Sequence, residues 1–307
     1  MPTTSGNLPN ARSPRTLPWF LLIAANILWA SSYVAAKFAL RETSLVFMLA
    51  LRMILAAVLL LPLLWVQRRA LKLRRRDLWQ LGLLALIGFV VNKIFEFGGL
   101  SLTTASDVAL LISSESIFTA LFCWLFLRER FKKVTLCALL LGFVGVYLII
   151  ERSLIPALPV GGGAWRILGD LMVVLSLCFE ALYTTRGKAM LVKHSPLLVC
   201  AASIVGSTIF WLPAAAWEMQ TPHWHAPGLA GWLSIAWLAI ASTVFAYLAW
   251  FKGLEKVDGS AAASTLFIQP LLGTVLAILL LDDQLTPMTI VGGLLIVVSV
   301  YGITRYG

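Results

Sequence analysis

A chain of 307 residues with 60% hydrophobic and only 12% charged side chains, and a mean hydropathy of +0.91, lies far from the near-even balance of a water-soluble domain. Its formal net charge is +10, but the basic residues stand in short connections between apolar runs, without interleaved aromatics or a recognisable nucleic-acid module, which argues against a nucleic-acid partner. The four cysteines (Cys123, Cys137, Cys178 and Cys200) fall inside apolar runs with no CxxC or Cys/His spacing, which argues against a disulfide framework and a zinc site.

Residues 1–16, MPTTSGNLPNARSPRT, are polar and Pro/Ser-rich, without the apolar core or cleavage site of a signal peptide, and are expected to form a disordered cytoplasmic tail. Ten apolar runs follow, each near the length that a bilayer-crossing helix needs: about 17–39, 44–66, 77–98, 104–127, 133–150, 168–190, 196–217, 229–251, 260–281 and 287–304. Their connections are short, as in a compact helical bundle. The connection after the second run, QRRALKLRRRD, and that after the fourth, RERFKK, are basic; Arg186, Lys188, Lys193, Lys252, Lys256 and Arg305 continue the series. The alternate connections GGLSLTTAS and EMQTPHWHAPG hold no Lys or Arg, and DDQLTP is acidic. An excess of Lys and Arg marks cytoplasmic connections, so this alternation predicts both termini in the cytoplasm.

Sliding the chain against itself by 154 residues lays residues 99–149 on 253–303, with about 13 identities in 51 positions. They include Gly99 on Gly253, Ser106 on Ser260, Thr135 on Thr289 and Tyr147 on Tyr301, residue types that shared apolar composition does not explain. Five runs per half is an odd number, so the second half would enter the membrane in the opposite sense, giving an inverted repeat. The predicted fold class is an all-α membrane protein of ten transmembrane helices in two inverted five-helix repeats, with a first half over 17–151 and a second over 152–307.

The stretches TTASDVALLISSESIFTALFCWLFLRER and DGSAAASTLFIQPLLGTVLAILLLDDQ, each a small-residue opening, an apolar stretch and an acidic residue before a Gly/Ala-rich helix, together with the opening NILWASSYVAAKFAL, resemble EamA-type proteins of the drug/metabolite transporter superfamily over about residues 17–306. The family's Glu/Gln-Pro pair is intact as Gln269 and Pro270, whereas the matching position has Glu115 followed by Ser116. The nearer likeness is to bacterial inner-membrane exporters of aromatic and other amino acids. That resemblance implies export of amino acids or related metabolites from a bacterial cell, with drugs or other metabolites as the alternative cargo.

Polar residues at membrane depth are the candidate binding groups, because a charge facing lipid costs several kcal/mol. Lys93 and Glu96 lie one turn apart in the third run, and Asn92 shares a face with Glu96. They read either as a structural ion pair or as a polar wall for a zwitterion. Ser113, Ser114 and Glu115 lie in the fourth run, Glu180 and Tyr183 in the sixth, Tyr247, Trp237 and Trp250 in the eighth, and Gln269 with Pro270 in the ninth. Trp29 and Tyr33, four residues apart in the first run, share a face, as Phe179 and Tyr183 do in the sixth. Aromatic faces with sparse orienting polar groups suit a mostly apolar pocket for a small molecule. Serines in membrane helices also serve close packing or bond a carbonyl of the preceding turn, and tryptophans near helix ends (Trp19, Trp65, Trp79, Trp217) anchor at the interface. Arg52 is expected to cap or pair near the membrane boundary.

The leading expectation is a secondary transporter with its site at the repeat interface, working by alternating access as a uniporter or with coupled protons. The chain holds no GxxxxGK[ST], HExxH or GxSxG motif, and His223 and His225 lack further ligands, which argues against its own ATP hydrolysis, an intramembrane enzyme and a metal site. No cofactor is expected, and the partners are a small-molecule substrate and membrane lipid. A channel or receptor is the remaining alternative, and a monomer is consistent with the packing motifs.

Overall fold

The computed structural model describes residues 16–67, 73–100, 102, 111–130, 132–151, 164–221, 225–281 and 287–306. The expected tail therefore lies outside the described residues except for Thr16, as do the centre of the QRRALKLRRRD connection and residues 104–110 of the fourth apolar run. Among the described residues every regular element is helical. In chain order these are α1 (Thr16–Ala39), α2 (Leu45–Gln67), α3 (Arg75–Leu86), α4 (Asn92–Leu100), α5 (Glu115–Leu127), α6 (Lys133–Glu151), α7 (Ala164–Met190), α8 (Pro196–Glu218), α9 (Leu229–Trp237), α10 (Ala246–Leu254), α11 (Gly259–Ala263), α12 (Ile268–Leu281) and α13 (Pro287–Tyr306).

Long apolar runs become helices because, without water, every backbone N–H and C=O must be satisfied within the segment. Their starts carry local signals. Ser195 accepts a hydrogen bond from the Leu198 amide at 3.2 Å, with Pro196 at the first helical position of α8. Asp77 accepts from the Arg74 amide at 3.0 Å where α3 begins. At the far end of α5, Arg128 stops the helix in the left-handed region with φ 56°.

Among the described residues, seven helical stretches are long and apolar enough to cross a membrane, among them Arg75–Glu96 and Leu229–Leu254, and Leu111–Leu127 and Lys133–Ile149 are shorter apolar helices. Two of the long stretches are interrupted at matching places. A π-helical turn, Ile87–Val91, joins α3 to α4, and a second, Leu238–Phe245, joins α9 to α10. Both end 154 residues apart, immediately before Asn92 and Ala246. The α11–α12 stretch instead tightens to a 3-10 turn at Ser264–Phe267, just ahead of Pro270, whose missing N–H removes one rung of the ladder.

Packing relies on close backbone approach rather than on expulsion of water, since lipid is as apolar as the helices themselves. Helices α6 and α13 pack face to face where Gly145 meets Gly292: a Cβ on Gly145 would stand 2.6 Å from the Gly292 carbonyl oxygen. Gly99 on α4 meets the Gly169 carbonyl of α7 in the same way. Helix α2 packs along α8, α4 along α7, α1 along α10, α5 on α7 and α1 on α12. Under the 154-residue offset, the α4–α7 contact exchanges with α10–α1 and the α5–α7 contact with α12–α1. The outer surface is apolar, with Val66 78%, Ile209 71% and Leu229 76% exposed, as suits a surface facing lipid. Trp65, Trp79 and Trp217 are exposed as well.

Candidate functional site

Five ionisable side chains from four helices gather in one cluster at the centre of the bundle. Asn92 opens α4 directly after the π-helical turn, which adds one residue to the helical register and re-aims the side chains that follow it. Its Nδ2 donates to the Ser176 carbonyl of α7 at 2.8 Å. One position on, Lys93 Nζ pairs with Glu96 Oε2 at 2.7 Å, with side chains 15% and 20% exposed. Glu180 lies on α7 four residues beyond Ser176, on the same face, and is in electrostatic reach of Lys93, Glu96 and Arg52. Glu115 begins α5 after a break at Ser114, in reach of Glu180, Lys93 and Glu96. Arg52, within α2, donates from Nε to Thr243 Oγ1 at 2.6 Å; Thr243 sits in the second π-helical turn and donates to the Leu238 carbonyl five residues back.

An aromatic array adjoins the cluster. Trp29 of α1 lies edge-on to Tyr247 at 5.1 Å and tilted to Trp250 at 5.4 Å, and its Nε1 donates to the Ser242 carbonyl at 3.0 Å. Phe89 meets Tyr183 at 5.2 Å and Tyr247 at 5.0 Å, and Tyr183 meets Phe251 at 5.5 Å. Edge-to-face geometry of this kind adds to the packing of these rings, which are almost fully buried except for the partly buried Trp29.

A second polar seam lies across the bundle. Asn26 Nδ2 donates to the Leu22 carbonyl at 2.8 Å and to Thr265 Oγ1 at 3.0 Å, while its Oδ1 accepts from Gln269 Nε2 at 3.0 Å. Asn26 and Gln269 are the partners of Glu180 and Glu115 under the 154-residue offset. Lys93 and Glu96 likewise match Tyr247 and Trp250. The two related seams thus differ in chemistry: one is charged, the other neutral with an aromatic wall.

The structure brings together Trp29, Asn92, Lys93, Glu96, Glu115, Glu180, Tyr183 and Tyr247 around this centre. It places Gln269 in the neutral seam and Pro270 half-buried beside it. Ser114 bonds the Leu111 carbonyl of its own turn. Tyr33 lies on α1, but its side chain falls outside the described residues. Trp237 stands apart, 47% exposed with its Nε1 on Ser31 Oγ at 3.0 Å. Among the described residues no group of three His, Cys, Asp or Glu side chains could hold a metal ion.

Sequence reasoning missed Asn26. Asn26 was findable, because it stands 154 residues before Glu180. Arg52, expected to cap or pair near the membrane boundary, bonds Thr243 in the second π-helical turn. That turn leaves no mark in the apolar pattern of the sequence.

Comparison with known proteins defines the class. The EamA-like transporter family matches residues 16–151 and again residues 167–305. An uncharacterized transporter of Archaeoglobus fulgidus is 27% identical over 92% of this chain and 95% of its own length. A protein of Chlamydia trachomatis named an S-adenosylmethionine/S-adenosylhomocysteine transporter is 28% identical over 87% of this chain and 83% of its own. A crystal structure at 17% identity superposes with a TM-score of 0.80, covering 96% of this chain and 100% of that one, which shows the shared fold. The protein is a multi-pass membrane transporter. This chain belongs to the EamA-like transporter family.

Proposed function

We propose that this protein is a secondary carrier that exports amino acids, aromatic and other neutral ones, or related metabolites, across a bacterial inner membrane. The observation that carries the reading is the central cluster of Arg52, Lys93, Glu96, Glu115 and Glu180 beside the Trp29–Tyr247–Trp250 aromatic array. Charges at membrane depth belong to a cargo pathway or an ion relay, and the aromatic faces offer the apolar remainder of a small-molecule pocket. Two inverted five-helix halves, over 17–151 and 152–307, exchange outward- and inward-open forms about this centre. The reciprocal helix contacts and the paired π-helical turns support that repeat.

The same reading has both termini in the cytoplasm. Support comes from contacts that join connections assigned to one side by their basic residues: His194 with Asp77 at 3.6 Å, and Lys188 with Glu129 at 3.0 Å. Connections assigned to the other side also meet, as Glu42 Oε2 accepts from the amides of Gly228 at 2.7 Å and Gly231 at 3.0 Å. If transport is proton-coupled, Glu115 and Glu180 are the carriers, and their Gln variants should lose concentrative transport while keeping downhill exchange. Loss of both activities would count against that role.

A second reading follows from the Chlamydia trachomatis relative, whose name points to S-adenosyl amino acids, one a sulfonium and the other a thioether, as cargo. Exchange assays separate the two: labelled aromatic and aliphatic amino acids against labelled S-adenosylmethionine, in preloaded proteoliposomes. Saturable exchange of S-adenosylmethionine alone would replace the amino acid assignment and leave the carrier reading in place.

A further inference from the structure

Helices α2, α3 and α8 leave a groove of about 450 Å³ on the outer surface, at the end of the bundle where α2 finishes and α3 and α8 begin. Its volume is that of a small-molecule site, and its lining is apolar throughout. Leu81 and Leu198 form a buried floor, and Leu61, Trp65 and Leu78 stand exposed along the walls. A Cβ on Gly82 would meet nothing within 4 Å, so glycine at this position keeps the groove open.

The groove is also short. Its longest lining stretch, from Leu198 to Gly206, spans about 12 Å at 1.5 Å per residue, which is less than half of a hydrocarbon core about 30 Å thick. A neighbouring transmembrane helix needs a face as deep as the whole core, whereas a lipid acyl chain needs only its own leaflet.

The mouth of the groove is basic. Leu73, one of its lining residues, is followed directly by Arg74, Arg75 and Arg76, all exposed. Lys193, exposed just ahead of the Ser195 cap of α8, is in electrostatic reach of Asp77 in the first turn of α3. Against these four cations stands the Asp77 carboxylate, which accepts from the Arg74 amide and lies 3.6 Å from His194. Clusters of Lys and Arg at the end of a membrane helix attract anionic headgroups, and an apolar groove beside them adds the chain contact that a charged patch alone lacks.

We infer that this groove holds an acyl chain of an anionic phospholipid, with the phosphate of that lipid against Arg74, Arg75, Arg76 and Lys193. The site lies at the end of α2, α3 and α8, apart from the central cluster, and a lipid seated there ties the three helix ends together.

The test is native mass spectrometry of the full chain, purified in detergent and stripped of lipid. It is titrated with dioleoyl phosphatidylglycerol and with dioleoyl phosphatidylcholine, which share their chains and differ in net charge. The first phosphatidylglycerol should bind at least about tenfold more tightly than the first phosphatidylcholine. Arg74→Gln, Arg75→Gln and Arg76→Gln combined should remove most of that preference. Gly82→Phe fills the groove and should weaken the first phosphatidylglycerol at least about tenfold, while glycerol 1-phosphate, a headgroup charge without a chain, should not compete. Thermal unfolding of the lipid-free variants checks that they fold, and the comparison of the two lipids on the unaltered protein needs no variant.

Equal binding of the two lipids, a preference that survives the triple substitution, or binding untouched by Gly82→Phe overturns the inference. Competition by glycerol 1-phosphate also overturns it, since the basic mouth would then serve free phosphate. A dimer that Gly82→Phe abolishes would overturn it as well, by making the groove an interface between copies of this chain.

Discussion

Lys93 and Glu96 are the pair on which a residue-level account turns, because each is tolerable at membrane depth only through the other. Removing Lys93 alone leaves Glu96 with an uncompensated charge. Lys93→Met should therefore destabilise the protein by about 2 kcal/mol, less than a fully buried pair because both side chains keep some exposure. The double variant with Glu96→Met should recover part of that loss in denaturant unfolding. A double variant less stable than Lys93→Met would show that the ion pair itself is not the reason for the loss. Thr243→Val tests the other anchor. It deletes the hydroxyl that accepts from Arg52 Nε without changing side-chain shape, and the loss of a charge-assisted hydrogen bond of about 1.5 kcal/mol should slow exchange about tenfold. An unchanged exchange rate in Thr243→Val would show that this bond does not position Arg52 for exchange.

Helices in this bundle meet through glycine, so the sharpest predictions at the scale of the element are additions of volume. Gly145→Val should part α6 from α13 and cost about 3 kcal/mol in thermal unfolding, since even a Cβ would overlap the Gly292 carbonyl. Gly273→Ala is the contrasting change. A Cβ there meets nothing within 4 Å, so alanine should hold or raise stability by about 0.5–1 kcal/mol. Equal losses at the two positions would refute a packing explanation. The helices were legible in the sequence where apolar length decides them: the run at 44–66 is α2 at Leu45–Gln67, and that at 196–217 is α8 at Pro196–Glu218. The π-helical turns were not legible. An inserted residue changes which side chains share a face but not how apolar the run is, so the sequence carries no sign that Thr243 faces Arg52. Lys93, Glu96, Glu115 and Glu180 were legible for the opposite reason, since each is a costly exception in an apolar stretch. Their grouping into a single cluster required the fold, because they come from helices distant in sequence.

At the scale of the molecule, the ends of the bundle are held by polar latches that the apolar middle cannot supply. Glu129 joins the α5–α6 connection to the start of α11: it accepts from the Gly259 and Ser260 amides at 2.9 Å each and from Ser260 Oγ at 2.8 Å, and pairs with Lys188. Burial alone would raise its pKa, but the Ser260 amide, the Lys188 charge and the Gly259 amide outweigh it and hold the carboxyl below its ordinary 4.5. Its stabilising contribution is therefore complete above the unfolded-state value and is lost as pH falls through the lower folded-state value. Unfolding measured from pH 7 down to pH 3 should show the unaltered protein losing stability toward acid more steeply than Glu129→Gln, which starts lower. Parallel curves would mean that this latch carries no linked proton.

The central claim is that the charged cluster is a cargo site inside an alternating carrier. It is tested most directly by counterflow of labelled aromatic and aliphatic amino acids into preloaded proteoliposomes, with and without a pH gradient, for the unaltered protein and Glu180→Gln. The account predicts saturable exchange that requires internal substrate, with its affinity weakened at least about tenfold in the variant. Uptake that is linear in substrate, indifferent to preloading and unchanged by Glu180→Gln would contradict it.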